Sequence, residues 1–327
     1  MKNLKFDGKK ILIIKLGSIG DVIHTLPVLE AIKKQHPTAC VSWLVEPKSL
    51  NIIKNNPMLD EIILFKRNYS NVLNTIQTIR KKNFDYVIDL QGTYKSQMFC
   101  LFSGSPCRIG FNKTKEFFPL AYNIKIPLPT MDRHAVDRNL DLLENIGIQR
   151  PKTINFPIEF PKEKKWDFKN YCVISASAGK PANRWDADNF SELASKISKE
   201  LQLDVVFIGS LADKDLNTNI IKKSKQQRIH DFSGLLSLKE TCLLLKGSKF
   251  LICGDTGPMH MAVAVGCPVI ALFGSSSPQR TGPYNGNNIV IQKTTPCAPC
   301  YKKTCKQMTC LKNITIDEVF SYAKNYK

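Results

Sequence analysis

Short apolar runs alternate along the chain with stretches in which apolar side chains recur every three or four positions. That is the pattern of a parallel sheet buried by helices on both faces. In the first half, "KILIIKL" (10–16), "CVSWLVE" (40–46), "EIILF" (61–65) and "DYVIDLQG" (85–92) read as strands, with helices expected over 22–35 and 72–82. A later helix, "AVDRNLDLLENIG", ends at Gly147, a residue suited to a C-cap. The stretch "RPKTINFPIEFPKEKKWDF" (150–168) carries three prolines and no helical period, so it reads as an interdomain linker. The rhythm then restarts with "YCVISAS", "DVVFIGS", "RIHDFSG", "KFLICGD" and "PVIALFG", separated by helices such as "NFSELASKISKEL" and "SLKETCLLLKGS". The fold class is therefore α/β, two Rossmann-like domains in tandem, with 1–160 and 161–327 as the expected division. The last helix, "TIDEVFSYAKNYK", is a candidate to pack back on the first domain.

Composition narrows the functional classes. A chain of 327 residues, 43% hydrophobic, can bury two cores. Its longest apolar runs fall short of the ~20 residues that span a bilayer. Lys15 and Asp21 interrupt the N-terminal apolar stretch and no small-residue cleavage site follows, so a cytoplasmic location is expected. The net charge of +19, from 47 basic and 28 acidic residues, favours polyanionic partners: nucleic acid, an anionic membrane surface or a phosphorylated substrate. The basic residues are spread along the chain without a zinc-finger or aromatic RNA-binding pattern, which argues against nucleic acid. Of eleven cysteines, Cys40, Cys100, Cys172, Cys242, Cys253 and Cys267 lie in apolar patterns and read as reduced core residues. Cys297, Cys300, Cys305 and Cys310 form a C-x2-C-x4-C-x4-C cluster, a spacing that admits structural zinc.

The candidate chemistry sits in the turns after strands. "KLGSIGDVIHTLP" has the glycine turn of a phosphate cradle but ends on a carboxylate, Asp21, at the helix mouth where an anion would sit. The second half offers a better cradle in "GDTGPMH". There Thr256 and Gly257 can present backbone N–H groups, Pro258 suits the first helical turn, and the positive end of the helix favours a diphosphate. Earlier in the same half, "SASAGKPANRW" supplies small residues for close approach, with Lys180 and Arg184 to neutralise phosphate. Asp213 follows a strand at a place where a carboxylate takes either ribose hydroxyls or a capping role. With phosphate held in the second half, Asp21 is free to act as general base on an uncharged hydroxyl, or to serve only as a helix cap.

Four segments in order, "ILIIKLGSIGDVIHTLPVLEAIKKQHP", "DYVIDLQGTYKS" with "RHAVDRNLDLL", and "GDTGPMHMAVAVGCPVIALFGSSSPQRTGPYN", resemble the ADP-heptose:lipopolysaccharide heptosyltransferases of glycosyltransferase family nine. The resemblance implies the GT-B fold, two Rossmann-like domains facing a central cleft. It also implies inverting transfer of heptose from ADP-L-glycero-β-D-manno-heptose to Kdo or heptose of the lipopolysaccharide inner core. By the same resemblance Asp21 matches the catalytic aspartate. Asp255, Thr256, Gly257 and His260 match the donor turn, joined by Lys180, Arg184, Asp213 at ribose and Leu236 at adenine. Ser18, Gly20, Arg133, His134 and Arg138 are the acceptor candidates. The implied partners are ADP-heptose, a Kdo-lipid A or heptosylated core acceptor, and peripheral contact with the anionic cytoplasmic face of the inner membrane, without nucleic acid. No cofactor and no metal are implied, and the cysteine tail is read as reduced thiols or a local structural knot. One position departs from the pattern: where members commonly carry a diphosphate-binding Lys two residues before the Trp, this chain has Asn183. The alternatives are a family member with another donor or acceptor, and a non-enzymatic nucleotide- or nucleic-acid-binding protein that only the charge favours.

Overall fold

The structure is a computed structural model, and it describes residues 4–326 apart from 113–115, 117, 119, 129, 131, 162 and 165. The chain forms two compact units, Met1–Glu159 and Phe160–Lys327. In the first, six strands run β1 (Lys10–Ile14), β2 (Cys40–Val45), β3 (Glu61–Leu64), β4 (Tyr86–Asp89), β5 (Cys107–Phe111) and β6 (Ile124–Ile126). They pair in the order β3-β2-β1-β4-β5-β6, all parallel. β1 is central, with Ile14 opposite both Leu44 and Asp89. Ile11 to Ile14 are fully buried, which is why this strand reads as an unbroken apolar run.

The second unit repeats the plan with β7 (Tyr171–Ser175), β8 (Asp204–Phe207), β9 (Ile229–Asp231), β10 (Leu251–Gly254), β11 (Val269–Phe273) and β12 (Ile289–Gln292). Its order, β12-β11-β10-β7-β8-β9, is the same doubly wound arrangement. In each sheet the direction of winding reverses once, between β1 and β4 and between β7 and β10. The carboxyl ends of strands at such a reversal are where open α/β sheets collect ligands.

The structure departs from the sequence reading in several places. The helix expected over 22–35 is two, Ile19–Ile23 and Leu26–Gln35, because the chain turns at His24 and Thr25 and Pro27 starts the second helix. Strands β5, β6 and β12 had no counterpart in the pattern. Cys40 is exposed, not core: it is the first residue of β2, ahead of the buried run from Val41 to Val45. Cys100, Cys172, Cys242, Cys253 and Cys267 are buried, and all eleven thiols are free. The terminal helix Ile316–Ala323 buries Val319, Phe320 and Ala323 in the core of the second unit. The linker is anchored at both ends. Arg150 binds Asp137, Asp141 and Glu144, while Trp166 is buried and Phe168 packs on Tyr171 and His230. Among the described residues no helix is long and apolar enough to cross a membrane.

Candidate active site

In the first unit the turn after β1 is bolted to the ends of its neighbours. The N–H groups of Leu16 and Gly17 donate to Gln91 Oε1 (3.1 and 3.4 Å), just beyond β4, and Glu46 N–H donates to Leu16 O (2.9 Å), just beyond β2. Ser18 then caps the helix Ile19–Ile23, and Asp21 occupies its first turn. The Asp21 carboxylate accepts from Ser18 N–H (2.9 Å) and Ser18 Oγ–H (3.1 Å), both on Oδ2. Capping, one of the two roles left open for Asp21, is therefore present. It does not bury the side chain, because Asp21 also lines a pocket of ≈ 650 Å³.

That pocket is walled by Gly17, Ser18, Ile19 and Gln91 on the switch-point side, by Glu46 and Lys48 at the start of the helix Pro47–Ile53 that follows β2, and by Lys66 and Arg67 from the loop after β3. Arg67 pairs with Glu46 (Nε–Oε1 2.5 Å), and among the described residues Lys48 and Lys66 have no ion-pair partner, so they add positive charge to the pocket that Asp21 lines. Sequence reasoning missed these cations, although they come within three residues of the end of an apolar run, the place where a parallel sheet collects ligand groups.

The other acceptor candidates divide. Ser18 lines the pocket and Gly20 is buried inside the short helix. Arg133, His134 and Arg138 are not among its lining residues. Arg133 is committed to Asp141 (Nε–Oδ2 2.5 Å), which Arg150 also holds. His134 caps the helix Ala135–Glu144, its Nδ1 accepting from Val136 N–H (3.2 Å), and its ring packs edge-on to His24 at 5.1 Å. Arg138, on that helix, lies within electrostatic reach of Lys15.

In the second unit the donor candidates gather on turns that follow neighbouring strands. Thr256 is the N-cap of the helix Gly257–Ala264, with Pro258 in its first turn and His260 buried on it. Beside it, Pro181–Asn183 forms a single 3-10 turn after β7, which ends where Arg184 Nε donates to Ala178 O (3.0 Å). Lys180, half-buried, precedes the turn. Gly254 has to be glycine, because a Cβ there would lie 2.7 Å from Asn183 O.

Asn183 is the hub of this region and is only 3% exposed. Its Oδ1 accepts from Ser275 N–H (3.2 Å) and Ser275 Oγ–H (2.7 Å), and its Nδ2 donates to Ser276 Oγ (3.3 Å) and Asp255 Oδ2 (3.5 Å). One side chain thus ties together the turns after β7, β10 and β11. The cysteine loop joins the same knot: Lys303 O accepts from Ala182 N–H (3.1 Å), Lys302 O from Ser275 Oγ–H (3.2 Å), and Tyr301 N–H donates to Ser275 O (2.7 Å).

Asp213 repeats the local geometry of Asp21. Its Oδ2 accepts from Ser210 N–H (2.8 Å) and Ser210 Oγ–H (2.7 Å) in the turn after β8. Leu236 is half-buried, and next to it Leu211 (72% exposed) and Leu235 (57%) form an apolar surface beside Gly234, where a Cβ would meet Leu211 at 3.1–3.2 Å. The Cys305 thiol is drawn below its ordinary value, chiefly by the N–H groups of Met308 and Gln307. Among the described residues no group of three or more His, Cys, Asp or Glu is placed to hold a metal ion.

Residues 72–311 match the model of glycosyltransferase family 9 (heptosyltransferase). The chain is 26% identical over 314 residues to lipopolysaccharide heptosyltransferase 1 of Pseudomonas aeruginosa, covering 90% of this chain and 87% of that one. In structure it is similar to a family 9 glycosyl transferase from Veillonella parvula, with a TM-score of 0.86 and 23% identity over 99% of this chain and 98% of that one. It is also similar to the E. coli heptosyltransferase WaaC with ADP, with a TM-score of 0.80 and 21% identity over 97% of this chain and 100% of that one. The two six-stranded parallel sheets are those of the GT-B type.

Proposed function

Because this chain belongs to glycosyltransferase family 9, the heptosyltransferase family, and is therefore a glycosyltransferase, we propose that it transfers heptose from ADP-heptose to an acidic sugar of the lipopolysaccharide inner core, Kdo or a preceding heptose, with inversion. The observation that carries the reading is the Asp21 pocket. It places the Asp21 carboxylate in a cavity also lined by Lys48, Lys66 and the Glu46-paired Arg67, cations of the kind that an acceptor bearing carboxylates or phosphates needs.

In this reading Ser18 holds Oδ2 and leaves Oδ1 to take the proton of the acceptor hydroxyl. The acceptor oxygen forms its bond to the anomeric carbon as the bond from that carbon to the diphosphate breaks, and ADP leaves with the electron pair. Negative charge building on the diphosphate is met by the N–H groups at Thr256 and Gly257 and by Lys180 and Arg184. Asp213 takes ribose hydroxyls, and Leu236 with exposed Leu211 takes the adenine face. The excess positive charge brings the protein to the anionic inner leaflet where a lipid-linked acceptor resides, a contact that weakens with salt.

The test is transfer from ADP-heptose to Kdo-lipid A, followed by mass spectrometry and by NMR of the new anomeric linkage. Asp21→Asn is expected to lower kcat by about 10²–10⁴-fold, the usual worth of a general base, while ADP binding in calorimetry stays within twofold. Loss of ADP binding with unchanged turnover would reverse the role assignments. Turnover only with another nucleotide sugar would move the enzyme to a different donor within the family.

A further inference from the structure

We propose that the face carrying Leu73, Tyr94 and Leu120, flanked by Lys66, Arg67 and Lys95, docks on an anionic phospholipid surface and so holds the adjoining Asp21 pocket at the bilayer; this rests on the reading of a lipid-linked acceptor.

Leu73, Tyr94 and Leu120 are 67%, 54% and 69% exposed. Singly, such residues are ordinary on a surface, but these three surround one core cluster. On the helix Tyr69–Lys81, Val72 and Ile76 pack on that cluster, while Asn71, Asn74, Thr75 and Thr78 line a separate pocket with the edge strand β3. At about 100° per residue this leaves Leu73 on the other flank, away from β3 and toward the helix Tyr94–Leu101 that packs beside it. Tyr94 opens that second helix, and its ring centroid lies 5.7 Å from that of Phe118, which packs on the same cluster two residues before Leu120.

Cations border these apolar tips. Lys95 Nζ sits 5.3 Å from the ring centroid of Phe65, a member of the cluster, and the exposed Lys66 and Arg67 follow Phe65 directly. Two carboxylates oppose them: Glu46 pairs with Arg67, and Glu116 accepts from Tyr94 N–H (2.5 Å). The face stays positive after that pairing, on a chain of net charge +19. Separate apolar projections with ammonium groups between them suit a headgroup layer, which takes leucine and tyrosine side chains one by one and pairs the cations with lipid phosphate.

The face also adjoins the site. Lys66 and Arg67 line the Asp21 pocket, and so does Gln91, three residues before Tyr94. A sugar on a lipid seated in that layer therefore meets the pocket at the membrane surface.

The experiment measures co-sedimentation with vesicles of phosphatidylethanolamine and phosphatidylglycerol at low and high salt. Transfer is measured to a lipid-linked acceptor in those vesicles and to the same acceptor stripped of its acyl chains. Leu73→Ala combined with Leu120→Ala removes apolar surface without changing charge. It is expected to lower vesicle partition about tenfold at both salts, to lower transfer to the vesicle acceptor with it, and to leave transfer to the stripped acceptor within twofold. Lys95→Ala is expected to lower partition about fivefold at low salt and little at high salt. Phe102→Ala, at the opposite end of the helix Tyr94–Leu101 and 41% exposed, is the control and is expected to partition like wild type. Unchanged partition in the double variant overturns the proposal, and so does an equal loss in Phe102→Ala or equal binding to neutral phosphatidylcholine vesicles. Unchanged partition with loss of self-association in sedimentation would give the face to a second copy of the chain instead. A wild type that transfers to neither acceptor sinks the acceptor reading, and the vesicle measurement still decides the face.

Discussion

Asn183→Ala tests whether the proposed donor region is one cooperative knot. The substitution keeps the 3-10 turn and removes an amide that makes four hydrogen bonds. The Ser275 hydroxyl keeps an acceptor in Lys302 O, and Ser276 and Asp255 lose only a long contact each. The Ser275 backbone N–H, on a buried residue, is left without its acceptor. An orphaned buried donor costs about 1–3 kcal/mol, and the space left by the amide adds to it, so an overall loss of about 2–4 kcal/mol is expected. The same amide orients Asp255 and the turn before Arg184, so ADP affinity is expected to fall about tenfold, equivalent to ~1.4 kcal/mol. Urea unfolding reads the first quantity and calorimetric ADP titration the second. Stability within ~0.5 kcal/mol of wild type, the ordinary range for an inconsequential substitution, together with unchanged ADP affinity, would refute the hub assignment. A loss of stability with full ADP affinity in the folded fraction would confine Asn183 to packing.

Two further outcomes follow from the second unit. Gly254→Ala forces a Cβ against the Asn183 carbonyl at 2.7 Å, and because that neighbour is backbone the strain is expected to cost about 1–3 kcal/mol in urea unfolding and to weaken ADP binding with it. In thiol titration of the native protein Cys305 is expected to react fastest, and its rate against pH to have a midpoint below the ordinary thiol value of 9.0, since a lowered value means more thiolate at a given pH. Cys267, pushed up to about 11, and the buried Cys100, Cys172, Cys242 and Cys253 are expected to stay silent until the protein unfolds; loss of the fast phase in Cys305→Ser identifies the thiol, and its persistence there refutes the assignment.

Legibility followed burial. The central strands β1, β4, β7, β10 and β11 stood out because both faces are covered and the whole run must be apolar. β6 and β12 escaped because they are short edge strands with polar or exposed positions, Lys125 and Val290 among them. β5 escaped because Arg108 and Gly110 break its run, Gly110 being required where a Cβ would strike the Tyr122 ring at 2.4–2.6 Å. The break between the helices at His24 and Thr25 was readable from Pro27, since proline favours the start of a helix and disrupts its middle. Cys40 was misread because the edge of an apolar run shows no sign of which residue lies past the sheet's cover.

The sequence by itself determined the two parallel sheets and the strand ends that carry chemistry, because local periodicity and turn residues are properties of a few neighbouring positions. Asp21 and Thr256 could be singled out in that way, and Asn183 as a departure from the pattern of the family the chain resembles. Which charges meet was decided only by the tertiary structure. Lys48, Lys66 and Arg67 reach the Asp21 pocket from beyond two other strands, Lys15 Nζ donates to Leu90 O across 75 residues of chain, and Asn183 binds Ser275 across 92. Coulomb and hydrogen-bond energies depend on distance in space and on the water between partners, and neither is set by separation along the chain.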